Sequence, residues 1–169
     1  MVSRWLLVDR IDELEAGVRA AGVKRFEAGE RFFEDHFPGF PVVPGVLLLE
    51  ALAQLAGKLI GYTVRRERGD WPFPILSMMN GVKFRRFVKP DEEVLLEARL
   101  VALRDEMADV RVRAKVGGRV VAQADQIFVF NAVPLDDPKE LARLEDLEFG
   151  YLRQLWAGCP THPWVQPTT

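Results

Sequence analysis

His36 is one of only two histidines in the chain, and Glu50 follows it fourteen residues later. The intervening stretch reads Phe37-Pro38-Gly39-Phe40-Pro41-Val42-Val43-Pro44-Gly45, then Val46-Leu47-Leu48-Leu49 up to Glu50. An unperturbed imidazole titrates at about pH 6.5, so His36 can accept a proton near neutrality. A carboxyl group can hold and deliver one where burial among apolar side chains, which raises its pKa, outweighs a nearby helix N-terminus, which lowers it; the sequence leaves that balance at Glu50 open. A base, a stiff loop, a helix start and an acid suit the removal of water across the α and β carbons of an acyl thioester. That reaction needs a base for the α proton, an acid for the departing hydroxyl and a donor for the thioester oxygen. The amides of Gly45 and Val46, at the start of a helix, have no intrahelical acceptor and can meet the developing negative charge. Gln54, one turn after Glu50, is placed to orient that carboxylate.

Each residue also has a plainer reading. A loop histidine is commonly satisfied by backbone, and Glu50, Gln54 and Lys58 fit the wet stripe of a surface helix. Gln54 fits a buried amide bonded to backbone, and the three prolines fit a merely stiff loop. The pairing of His36 with Glu50 is what favours chemistry.

The elements that must position these residues can be read in outline. Leu6 to Leu14 and Val18 to Phe26 form a strand pair around Ala16-Gly17. The proline and glycine density from Phe32 to Gly45 excludes regular helix or central strand. From near Gly45, the run Val46 to Tyr62 is apolar or small except at Glu50, Gln54 and Lys58, a spacing of four that gathers them on one helical face. The other faces must be covered, which makes this a central buried helix. A carboxylate, an amide and an ammonium within it argue against a membrane span.

Ile75 to Phe87 supplies another strand. Clear alternation follows in Leu96 to Ala102 and in Ala108 to Val116, and Gly117-Gly118 turns the chain back into Arg119 to Phe130. The fold class is α+β: strands, one central helix, then an antiparallel meander. Residues 1–133 read as one domain and 134–169 as an extension. The extension holds a helix over about 138–157, started by Asp137-Pro138 with a stripe of Leu144, Leu147, Tyr151 and Leu155, and then a proline-rich tail from Pro160 to Thr169 that is extended or frayed.

Composition narrows the possible partners. With 169 residues, 49% of them hydrophobic, and a net charge of −2, nothing global points to nucleic acid or an anionic membrane. One cysteine, Cys159, cannot form an internal disulfide, which fits a reducing compartment. Two histidines and that cysteine supply no imidazole or thiolate cluster for a metal. The first twelve residues read as neither signal peptide nor anchor, so a soluble cytoplasmic protein is expected.

The ordered string of His36-Phe-Pro-Gly39, Pro44-Gly45 and Glu50-Ala-Leu-Ala-Gln54 resembles the signature of the bacterial 3-hydroxyacyl-acyl-carrier-protein dehydratases of the FabZ/FabA type. The likeness extends from Leu6-Leu-Val-Asp-Arg10, through Gly81-Val-Lys-Phe-Arg-Arg86, to about Phe130. The resemblance implies a hot-dog fold, a curved antiparallel sheet wrapped around a central helix. It also implies a homodimer with one continuous sheet, or a higher homo-oligomer such as a trimer of dimers, in which His36 faces Glu50 of the partner.

Its implied reaction converts (3R)-3-hydroxyacyl thioesters on acyl carrier protein to trans-2-enoyl thioesters, in fatty-acid or related lipid or polyketide synthesis, without cofactor or metal. By the same resemblance Val42 supplies the carbonyl that orients His36, and Gly45 the main amide donor. Relatives that also move the double bond tend to carry aspartate at the acid position, so Glu50 favours dehydration alone. The phosphopantetheine-bearing acidic carrier implies a basic rim, for which Lys83, Arg85, Arg86 and Lys89 are candidates, though each also fits an ordinary solvated strand face.

One departure stands out. Pro90-Asp91-Glu92 replaces the usual Pro-Gly-Asp turn near the channel entrance. Two rivals remain: a hot-dog thioesterase, which has no need of the paired imidazole, and a non-catalytic acyl-thioester-binding or scaffold subunit, which would usually have lost His36 or Glu50.

Overall fold

Alternation of apolar and charged residues builds the sheet. In the computed structural model, which describes residues 5–130, 132 and 134–160, six strands are β1 (Arg10–Glu15), β2 (Arg19–Arg25), β3 (Ile75–Phe84), β4 (Glu93–Leu103), β5 (Met107–Val116) and β6 (Arg119–Val129). They pair antiparallel in the order β1-β2-β4-β5-β6-β3. The inward side chains of the middle strands include many small ones, Ala98, Ala108, Ala114, Ala122 and Ala124, beside Leu96, Val110, Val112 and Phe128. Small residues on that face let a helix lie close to the sheet. Register shifts in β1, β3, β4 and the β5–β6 pair add the local twist that curls a sheet.

That helix is α2 (Gly45–Arg68), whose Leu48, Leu52, Leu55, Leu59 and Ile60 are buried in the core. It runs six residues beyond Tyr62, where the apolar run ends, because its last turn is basic and so complements the helix dipole. Gly69, at φ 86°, then ends it in the left-handed conformation. By length and composition α2 could cross a membrane, but it lies mostly buried within the protein.

The fold is therefore the hot-dog arrangement expected, with several local corrections. Phe32–Asp35 is a short helix, α1, inside the stretch expected to lack one. The first proline comes only at Pro38, so nothing prevents one helical turn before it. β1 begins at Arg10 rather than Leu6, since Leu7 N donates to a side chain, Gln54 Oε1, instead of to a neighbouring strand. β3 stops at Phe84 rather than Phe87, although Arg85 N still donates to Val121 O at 2.7 Å.

The last helix, α3 (Pro138–Leu155), starts as the sequence indicates, with the Asp137 side chain accepting from Lys139 N at 2.9 Å. Its buried face differs from the expected stripe. Phe149, Leu152 and Leu155 are buried, whereas Leu147 is 47% exposed and Leu144 and Tyr151 are half-buried. Phe149, Leu152 and Leu155 pack into the core, and ion pairs to α2 go with that rotation of the helix. Lys58 pairs with Glu148, and Arg65 Nη1 lies 3.6 Å from Glu145 Oε2. The tail beyond Pro160 lies outside the described residues.

Candidate active site

His36 stands just past α1, its amide donating to Phe32 O at 2.9 Å. The loop folds back so that Val42 N donates to His36 O at 3.0 Å, and His36 Nδ1 lies 3.0 Å from Val42 O. A carbonyl only accepts, so this contact requires the proton on Nδ1 and leaves the Nε2 lone pair available in the neutral ring. The imidazole is half-buried and stacks on Phe37, ring centroids 4.1 Å apart.

Glu50 lies in the second turn of α2. Its Oε1 accepts from Gln54 Nε2 at 3.0 Å and from Trp5 Nε1 at 3.1 Å. Gln54 is fully engaged, since Nε2 also donates to Trp5 O at 2.7 Å and Oε1 accepts from Leu7 N at 2.7 Å. The amide thus ties the segment before β1 to the helix at the carboxylate, and fixes which oxygen of Glu50 is occupied. Among the described residues no hydrogen bond reaches Oε2. Glu50 and Gln54 line a cleft of about 490 Å³ with Trp5, Trp71, Leu76 and Phe128, a volume suited to a small-molecule site. His36 is not among the residues lining it.

Gly45 opens α2 directly after Pro44, and Val46 beside it is 70% exposed. A Cβ at Gly45 would stand 2.6 Å from the Phe84 ring, so any other residue there would have to push that exposed ring aside. The four basic candidates, Lys83, Arg85, Arg86 and Lys89, are exposed on the end of β3 and the segment after it. That segment is joined to the loop carrying His36 through Val43 N donating to Val88 O at 2.8 Å. Arg85 is partly engaged by Gln123 Oε1 at 3.2 Å.

Sequence reasoning missed Trp5. An indole that far from Glu50 in the chain carries no local signal. It also missed the positive φ of Asp91, 63°, which keeps the left-handed turn that glycine would normally make. Asp91 Oδ1 accepts from Ala28 N at 3.0 Å, and Asp91 N donates to Phe26 O at 2.8 Å. Cys159 is half-buried, and burial pushes its thiol up, away from the reactive thiolate.

Taken together, a six-stranded sheet around one helix, with a carboxylate on the helix wall, defines a hot-dog protein of the acyl-thioester class. A FabA-like domain matches residues 2–125, and the chain belongs to that family. It is similar to the 3-hydroxyacyl-[acyl-carrier-protein] dehydratase FabZ of Bacillus pumilus, 40% identical over 124 residues, covering 73% of this chain and 84% of that one. The FabZ of Listeria monocytogenes serotype 4b is 36% identical over 130 residues, covering 77% and 88%. Among solved structures, the dehydratase heterocomplex ApeI:P from Xenorhabdus doucetiae superposes with TM-score 0.62 at 13% identity, over 85% of this chain and 91% of that one. A hypothetical thioesterase with coenzyme A from Streptococcus pneumoniae superposes with TM-score 0.56 at 11% identity, over 72% and 87%. The fold alone is what these two structures share with the chain.

Proposed function

We propose that the chain dehydrates 3-hydroxyacyl thioesters carried on acyl carrier protein, giving 2-enoyl thioesters, with His36 as base and Glu50 as acid. The observation that carries this reading is the division of labour at Glu50: Gln54 and Trp5 occupy Oε1, and Oε2 is left to face the departing hydroxyl. Val42 holds the imidazole with Nε2 outward, ready to take the α proton. As that proton leaves, charge moves to the thioester oxygen, which the Gly45 and Val46 amides meet at the start of α2. Glu50 then delivers its proton to the departing hydroxyl, and water leaves.

His36 and Glu50 come from different subunits in this reading. The cleft around Glu50 lacks His36, and β3 offers the means of pairing. β3 is a ten-residue edge strand with Ile75, Met78, Met79, Val82 and Phe84 exposed, the kind of edge that pairs with another strand. The opposite edge, β1, is six residues long and carries Arg10, Asp12, Glu13 and Glu15, which protects it. Two copies joined through β3 form one continuous sheet and bring each Gly45 end toward the partner.

Lys83, Arg85, Arg86 and Lys89 form the rim that receives the acidic carrier. The single cysteine and the buried α2 accord with a cytoplasmic setting. The test is direct: 3-hydroxyacyl thioesters on carrier protein are incubated with the purified chain and enoyl product is followed. Product formation that is lost in His36→Ala and in Glu50→Gln supports the reading. Release of free acid instead supports a thioesterase, and binding without turnover supports a scaffold subunit.

A further inference from the structure

The cleft that begins at Glu50 is finished by residues outside the family match. It runs along α2 past Gln54 and Gly57 to Lys58, and there meets Glu148 and Tyr151 of α3, beyond the matched residues 2–125. We infer that α3 is the end wall of the acyl channel, and that Gly57 with the Lys58–Glu148 pair sets the longest chain the site accepts. The inference rests on the dehydratase reading only in naming the chain as acyl.

Three observations support it. First, Glu50 and Lys58 are eight residues apart, about 12 Å along a helix axis. With carbon–carbon bonds of about 1.5 Å at tetrahedral angles, that span holds roughly nine methylenes.

Second, glycine inside a helix is disfavoured, and at Gly57 no packing demands it. A Cβ there would meet only Pro74 Cγ, at 3.9 Å, an ordinary contact. At Gly61, one turn on, a Cβ would lie 2.2 Å from the Trp71 ring, so that glycine is explained by packing. What Gly57 does is keep the cleft open.

Third, the channel ends in charge. The Lys58 side chain is 9% exposed, pairs with Glu148 and lies 5.4 Å from the Tyr151 ring centroid. Pushing a terminal methyl group against that pair would strip its remaining water without offering a hydrogen bond. A chain therefore stops short of it.

The test uses inert acyl-pantetheine amides with saturated chains of increasing length, titrated into the full chain by calorimetry. In wild type, affinity should rise by about fourfold per added methylene and then break at about twelve carbons. Lys58→Met with Glu148→Leu replaces the pair by apolar groups of similar size, and the rise should continue for at least two further methylenes. Gly57→Leu should bring the break several carbons earlier, and Gly57→Ala by a smaller step, with folding of each variant checked by circular dichroism. The same break in wild type and all variants would overturn the inference, as would a wild type that binds no chain. Graded binding without dehydration would leave the wall standing and remove the dehydratase reading instead.

Discussion

Val42 O fixes the His36 tautomer, and two donors fix the occupied oxygen of Glu50. On the proposed mechanism, replacing either residue should therefore remove catalysis while leaving the fold in place. His36→Ala and Glu50→Gln should each lower kcat by about 10²–10⁴-fold, with cooperative thermal melts retained and Tm lowered by no more than several degrees for the lost His36–Val42 bond. Asp91 offers a test of backbone conformation. Asp91→Gly relieves the left-handed strain but loses the bond to Ala28 N, so stability should stay within about 1 kcal/mol of wild type. Asp91→Ala keeps the strain and loses the bond, and should cost about 1–2 kcal/mol in urea unfolding. Equal stability of the two variants would show that the strain is not there.

Two helices line the cleft, and their boundaries show what could be read in advance. The Glu50, Gln54, Lys58 spacing placed all three on one face of α2, β4 and β5 were legible from their alternation, and β6 from the Gly117-Gly118 turn before it. The face of α3 was not. Its rotation buries Phe149 and Leu152 and brings Glu145 and Glu148 to cations on α2, and a periodicity of leucines cannot register contacts with a distant element. For the same reason the stripe on α2 looked equally fit for solvent, whereas at its far end Lys58 is buried under α3. Within the site, the residues close in sequence were legible and Trp5, an indole brought in from the segment ahead of β1, was not.

The ion pair yields its own prediction. Glu148→Ala strands a nearly buried ammonium and should cost about 2 kcal/mol, less than a fully buried pair because Glu148 is one-third exposed. Adding Lys58→Met should recover most of that loss in chemical denaturation. No recovery would mean that Glu148 stabilises the fold by some route other than Lys58.

At the scale of the whole molecule, the sheet has one guarded edge and one apolar edge, and the proposed site needs the apolar one to be paired. Met78, 53% exposed on β3, is the place to interrupt it. If the proposed β3 pairing forms, Met78→Glu should put charge on the paired edge, shift the protein toward monomer in sedimentation velocity, and reduce activity in proportion to the dimer lost. A monomeric variant with full activity would exclude the shared site.

The shared site is tested most directly by complementation. His36→Ala and Glu50→Gln proteins are mixed in equal amounts, exchanged through dilute denaturant and assayed for dehydration. Half of the dimers formed should be mixed, each with one intact His36–Glu50 site, so activity should return to about a quarter of the wild-type value. If exchange is verified and the mixture stays as inactive as its components, His36 and Glu50 do not meet across subunits, and the account given of the site is wrong.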